Sequence, residues 1–246
     1  MLNGTKLIIV GKEKGDIMKK VCVITGGGSG MGLEAAKLMP EDKIIILSGR
    51  TIKKLEKAVA ILQALGLEAY AHACDTSDRK SVRKLAEYAA SQGEVTNVIN
   101  GAGLSPAMAK PEQLLRVNAL GTVYVHEEFS KVMMSGSVIV DVASNSAYVV
   151  PGLLVNHKVY ALAETNEETF LKKMMKKSNL AKGNYEKSGF AYALSKNFVV
   201  WYARKCACTY GRRGIRVVSL SPGLIATDMG NLEAKEGGDM IQYGAE

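Results

Sequence analysis

Thr25-Gly26-Gly27-Gly28-Ser29-Gly30-Met31-Gly32 follows directly on a β-branched apolar run at residues 21–25 and leads into a helical pattern over 30–39 that Pro40 closes. A strand that enters a glycine-rich turn and leaves as a helix is a phosphate-binding arrangement. The glycines let the backbone approach a pyrophosphate, and the first helical turn offers unpaired N–H groups with partial positive charge. The spacing Gly26-x-x-x-Gly30-x-Gly32 differs from the commoner G-x-G-x-x-G, and such turns also serve tight packing. By itself the turn fixes a strand–helix corner and leaves its ligand open.

The same alternation continues outward from this corner. Strands are predicted at 44–47, 68–72, 95–100, 137–142 and 215–220. Helices are predicted at 52–65, ended by Gly66, at 78–90 with Asp78 as N-cap, at 112–133 and at 191–210. Strands separated by helices imply right-handed crossovers and a parallel sheet covered on both faces, an α/β fold. Two segments stand apart. Residues 1–17 are expected to be an extension ahead of the first strand, from a start upstream of Met18, because residues 12–16 are too polar and glycine-rich to pack. Residues 149–187 make an unusually long connection, apolar at first and then lysine-rich, and are expected to be an apolar cap or a subunit contact. Residues 18–246 are read as one domain.

Composition narrows the class. The chain has 246 residues, 47% of them hydrophobic and 23% charged, an ordinary globular balance. No apolar run approaches the roughly 18 residues that span a bilayer, so no membrane association is expected. Four cysteines without a Cys-x-x-Cys pair, beside three histidines, argue against a zinc site, and no metal is expected. A cytoplasmic setting is the default, since no basic–apolar–small leader is evident. The net charge of +8 is spread in helical rhythm, with Lys172, Lys173, Lys176 and Lys177 on a solvated face. That pattern gives no expectation of nucleic-acid binding.

A second constellation lies far downstream. In Tyr192-Ala193-Leu194-Ser195-Lys196 the tyrosine and lysine sit four apart and share a helix face. A free phenol has a pKa near 10, too high for a base at neutral pH. A neighbouring ammonium favours the phenolate and brings it toward the working range.

Together with the glycine turn, this set resembles the short-chain dehydrogenase/reductase family. The further motifs are Asp75 after the third strand, Asn100-Gly101-Ala102-Gly103 after the fourth, Asn118 in the next helix, Ser144 after the fifth strand, and Pro222-Gly223 followed by Thr227. The likeness spans residues 19–229. It implies a Rossmann-like, doubly wound sheet of order 3-2-1-4-5-6 and reversible hydride transfer between a nicotinamide cofactor and a secondary alcohol or ketone, a hydroxysteroid or a small carbonyl compound. It also implies roles. Tyr192 would be the acid/base, Ser144 would hold the same substrate oxygen, Lys196 would lower the Tyr192 pKa and bind the nicotinamide ribose, and Asn118 would hold a relay water against Lys196. Thr25, Gly26, Ser29, Gly30, Met31 and Gly32 would cradle the phosphates. Asp75, with Thr76, would meet the adenine, and Asn100, Ala102 and Gly103 would line the adenosine. Pro222, Gly223, Ile225 and Thr227 would contact the carboxamide end. Where an NAD-preferring member carries a carboxylate, this chain has Gly49 followed by Arg50, which suits a 2′-phosphate and favours NADP over NAD.

Three departures qualify the likeness. From Asn100 to Asn118 is 18 positions, a short substrate loop. From Ser144 to Tyr192 is 48 positions, far more than most members, and similar to the insertion of bacterial hydroxysteroid dehydrogenase/carbonyl reductases, where it serves subunit contact. The family's seventh strand is missing before Glu246. The expectation is therefore a truncated chain, or a sheet short of one edge strand, less stable and prone to self-association. A homodimer or homotetramer is expected of the longer form. An NADP-binding sensor without turnover and an inactive truncated scaffold are the alternatives.

Overall fold

A computed structural model describes residues 18–236 of the chain. The expected extension at 1–17 and the question of a final strand lie outside the described residues.

Six parallel strands form one sheet in the order β3-β2-β1-β4-β5-β6. They are β1 (Lys20–Thr25), β2 (Lys43–Gly49), β3 (Glu68–Ala73), β4 (Glu94–Asn100), β5 (Val138–Val142) and β6 (Arg216–Leu220). This is the doubly wound architecture that the alternation of strands and helices implied. The central strands are apolar on both faces, as a sheet covered on two sides requires. Along β1, Cys22 and Ile24 pack on one side with Leu55, Ala58 and Leu62 of α2 (Ile52–Ala64). Val21 and Val23 point the other way, toward Val82, Leu85 and Ala89 of α3 (Arg79–Gln92) and Val123 and Phe129 of α5 (Gly121–Val132). Asp78 caps α3 by accepting from the Lys80 N–H at 3.0 Å.

Three helix boundaries differ from the sequence expectation. Helix α1 (Gly30–Lys37) stops two residues early, because Leu38 and Met39 donate to carbonyls three back and Pro40 disfavours helix before it. The helix expected over 112–133 begins as α4 (Pro111–Leu114), widens into a π-helical turn at Leu115–Leu120, and resumes as α5. Helix α8 (Asn184–Gly211) starts one to two turns earlier than expected, right after Gly183, whose φ of +88° breaks the preceding chain direction.

A short 3-10 turn at Asn145–Tyr148 leads into the segment 149–187, which forms a second at Gly152–Leu154 and then α6 (His157–Thr165) and α7 (Glu167–Ser178). Asn156 and Asn166 start these two helices with side-chain caps. Their apolar residues go inward. Tyr160 of α6 and Phe170 of α7 are completely buried against Phe198 of α8, with ring centroids 5.3 and 5.2 Å away. Trp201 joins at 5.5 Å from Tyr160. Each such pair contributes about 0.5–1.5 kcal/mol beyond its buried area. Arg79 ties the outer side together by pairing with Glu127 of α5 and Glu167 of α7.

Candidate active site

Parallel strands align their carboxyl ends, and the register sets Thr25 beside both Ser48 and Asn100, with Asn100 beside Asp141. The loops that leave these ends surround a cleft of about 580 Å³. Its walls include Met31 from α1, Ser105 and Pro106 after β4, Ser144 and Ser146 after β5, Tyr192 from α8, and Pro222, Gly223, Ile225 and Thr227 after β6. The crevice at the carboxyl ends of an open parallel sheet is where such folds bind ligands.

The glycine-rich corner is packed so tightly that side chains would not fit. A Cβ on Gly26 would lie 2.8 Å from the Gly101 carbonyl oxygen, and one on Gly32 would lie 2.7 Å from that of Gly26. Gly26 also has a φ of +70°, which L side chains rarely adopt. Ser29 precedes α1 in extended conformation and makes no side-chain cap. The first-turn N–H groups of α1 are therefore left to other acceptors. A Cβ on Gly30 would meet the Thr227 side chain at 3.3 Å, so the β1 and β6 loops come together there. This backbone cradle fits an anionic dinucleotide.

Tyr192 and Lys196 lie one turn apart on α8. The Lys196 ammonium, almost completely buried, donates to the Val142 carbonyl at 2.7 Å and stands 5.7 Å from the centre of the Tyr192 ring. Burial lowers the Lys196 pKa to about 8, partly opposed by the charge of Asp141. The Tyr192 phenol is pushed above its ordinary value by burial, with the Ser144 hydroxyl pulling it back and Glu233 adding to the rise. The net shift of the Tyr192 phenol is therefore upward, not the lowering expected from a neighbouring ammonium alone. Desolvation dominates, and the ammonium is turned toward the end of β5. Ser144 caps the turn Asn145–Tyr148, accepting from the Ser146 N–H at 3.2 Å and its hydroxyl at 3.0 Å.

Several other predicted site residues have their side chains committed to the fold. The Asn100 side chain, expected to line an adenosine, points inward. Its amide donates to Asp141 at 2.9 Å and Thr122 at 3.1 Å, and its oxygen accepts from Thr25 at 3.2 Å. The pleat of β4 sets it among the side chains of Thr25, Thr122 and Asp141, away from the loop that carries Ala102 and Gly103. Thr25 closes the loop by accepting from the Ala102 N–H at 3.1 Å. Asn118, inside the π-helical turn, holds Leu104 by both its N–H and C=O at 2.9 Å and donates to Ser195 at 3.2 Å. Its amide hydrogens are thus engaged within the protein, and its Oδ1 and the Lys196 ammonium both lie near Gly103. Asp75 accepts from the backbone and hydroxyl of Ser77, which shapes the loop after β3, and Thr76 beside it is buried. Gly49 and exposed Arg50 sit at the end of β2.

Sequence reasoning missed two features. One is a buried pair, His126 of α5 and Asp141 of β5, with Nε2 and Oδ2 2.8 Å apart and both side chains without exposure. The signal was an aspartate in the middle of an apolar strand. The other is the role of Glu233 on α9 (Asp228–Glu236), a helix that lines the cleft with Met229, Gly230 and Glu233. Glu233 accepts from the Ala107 N–H at 2.9 Å and the Tyr185 hydroxyl at 3.0 Å. Among the described residues no cluster suits a metal ion, and no helix is long and apolar enough to cross a membrane.

The family model described as short chain dehydrogenase matches residues 20–161. A short-chain dehydrogenase/reductase of Alternaria brassicicola, bsc3, is 27% identical over 219 residues, covering 89% of this chain and 78% of that protein. Human carbonyl reductase [NADPH] 1 is 27% identical over 236 residues, covering 87% and 84%. A short chain dehydrogenase from Burkholderia cenocepacia, solved in complex with NADP, superposes with a TM-score of 0.65 at 23% identity over 86% of this chain and 77% of that one, a likeness of fold.

Proposed function

The chain belongs to the short chain dehydrogenase family, as an NAD(P)-dependent oxidoreductase acting on alcohol or carbonyl groups, and on that premise we propose that it transfers a hydride between a nicotinamide dinucleotide and a ketone or secondary alcohol held against Tyr192. The observation that carries this reading is that Tyr192 and Ser144 share the wall of one cleft with Met31 of the glycine-rich corner, with the buried Lys196 one turn further along α8.

The dinucleotide, when bound, supplies or accepts the hydride. In the reducing direction Tyr192 gives its phenolic proton to the carbonyl oxygen as that oxygen gains negative charge. Ser144 donates a hydrogen bond to the same oxygen, once its hydroxyl turns from Asn145. Lys196 opposes the negative charge left on Tyr192, and it is strongest in that role below about pH 8, where it is an ammonium. Because burial holds the Tyr192 proton on, the phenol at neutral pH is in the form that donates in reduction, and the form that accepts in oxidation gains as the pH rises. The backbone of Gly26–Gly32 and the first turn of α1 would hold the pyrophosphate, and Ala102 and Gly103 would hold the adenosine side.

NADP is the preferred form in this reading. Gly49 brings no carboxylate to the end of β2, and Arg50 beside it is exposed and free to meet a 2′-phosphate. The NADPH in the name of the human relative points the same way. The cleft volume admits substrates from small carbonyl compounds up to hydroxysteroids. The test is Tyr192→Phe, assayed for NADPH oxidation with a panel of ketones and for NADPH binding by fluorescence. Loss of turnover by about a hundredfold or more with binding retained is expected of a lost acid. Ordinary turnover in folded Tyr192→Phe overturns the mechanism.

A further inference from the structure

The cleft carries a charge pattern opposite to that of the molecule. The chain has 32 basic and 24 acidic residues, so its overall field attracts anions. Yet among the described residues lining the cleft, the charged ones are Glu186 and Glu233, and no lysine or arginine is among them. The rest of the substrate side is apolar, including Pro106, Val149, Phe190, Leu224 and Met229.

Glu233 is held in place. One oxygen takes the Ala107 N–H from the loop after β4, and the other takes the Tyr185 hydroxyl from the start of α8. It therefore joins three walls of the cleft, and its charge cannot swing away without breaking both bonds. The same carboxylate contributes to the rise in the Tyr192 pKa, so its field reaches the reacting end. A substrate carboxylate or phosphate placed beside Glu233 meets like charge, with no lysine or arginine among the described lining residues to answer it. Like-charge juxtaposition of this kind is strongly unfavourable.

We infer that the substrate is an apolar ketone or secondary alcohol that is uncharged or cationic, and that Glu233 is the specificity-determining residue that turns anionic substrates away. The inference rests on the hydride-transfer reading above and narrows it. It excludes keto acids, phosphorylated sugars and acyl groups on anionic carriers that must enter the cleft.

The test uses three ketones that differ only far from the carbonyl: 4-phenylbutan-2-one and its para-carboxylate and para-aminomethyl analogues. Binding to the full chain loaded with NADP+ is measured by calorimetry, and kcat/KM is measured with NADPH. The carboxylate is expected to bind at least about tenfold more weakly than the neutral ketone, and to show a similar deficit in kcat/KM. The aminomethyl compound should do as well as the neutral one or better. Raising the ionic strength should narrow the gap. Glu233→Gln, which keeps an acceptor for Ala107 and a polar partner for Tyr185, should narrow it at least threefold. Equal binding of the carboxylate and the neutral ketone overturns the inference, as does an unchanged ratio in folded Glu233→Gln. The wild-type comparison and its salt dependence stand without the variant. The expected binding order with no turnover under NADPH or NADH supports the inference and overturns hydride transfer instead.

Discussion

Replacing Asp141 by asparagine probes the polar link that the sheet conceals. Asp141 uses one oxygen for His126 and the other for Asn100, and neither it nor His126 has any exposure. Burial alone would strip the proton from His126, but the charge and hydrogen bond of Asp141 outweigh it and raise the imidazole pKa to about 10. Asp141→Asn supplies only one acceptor where two are used. It leaves either the imidazole or the Asn100 amide facing a donor. Breaking one side of a buried pair costs about 3–5 kcal/mol. The pH dependence carries a sharper signature. A histidine whose folded pKa is raised stabilises fully below its unfolded value of about 6.5, and that stability fades as the pH climbs toward the folded value. Between pH 6.5 and 8 the wild-type chain should lose about 1.5 kcal/mol from this source, as an upper figure for a coupled pair. Lys196, with its pKa lowered to about 8, works in the opposite direction and begins to offset this loss toward the upper end of that window. Urea unfolding at both pH values measures the loss, and with only three histidines in the chain, NMR titration of the imidazole carbons can follow His126 directly. Asp141→Asn should remove the dependence. A His126 that titrates near 6.5 in the folded protein, or a variant that loses less than about 1 kcal/mol, would refute the reasoning.

Two further substitutions test the dinucleotide side. A side chain at Gly49 would meet the nearest atom, on Leu55, at an ordinary 3.6 Å, so Gly49→Asp is tolerated by the fold. It should shift preference from NADP toward NAD by about 1–3 kcal/mol in relative kcat/KM, as a repelled phosphate implies, and an unchanged ratio would show that this strand end does not read the ribose. Gly26→Ala combines the positive φ with a clash against the Gly101 carbonyl. It should cost at least about 1–3 kcal/mol of stability and abolish dinucleotide binding, as seen by thermal shift with and without NADPH, and normal binding would mean the corner is not the cradle.

What the sequence revealed and what it hid divide along physical lines. Strand positions were legible because apolar β-branched runs bounded by turn residues have few other uses, and the crossover rule then left little freedom in topology. Helix faces were legible too, which is how Tyr192 and Lys196 were paired. The partner of a long polar side chain was not. Lys196 has the reach to touch Tyr192, yet its ammonium donates to Val142 at the end of a strand 54 positions earlier. Asn100 and Asn118 look from their positions like ligand contacts, but both spend most of their hydrogen-bonding capacity on backbone and buried neighbours. The π-helical turn at Leu115–Leu120 has no proline or glycine to announce it. Glu233 was invisible as a site residue because its meaning depends on Ala107, from the loop after β4, and Tyr185, from the start of α8, both distant in sequence.

The 28 residues of α8 make a rod about 42 Å long. Its first turns wall the cleft and carry Tyr192 and Lys196. The turns that follow are gripped by Tyr160 and Phe170 from the long connection after β5. The placement of the reacting phenol is therefore inherited from aromatic packing outside the cleft. The connection is no detachable ornament, and trimming it to a simple loop would unmoor the helix that presents the chemistry. Variation within α6 and α7 can consequently tune turnover without changing a single residue that touches substrate.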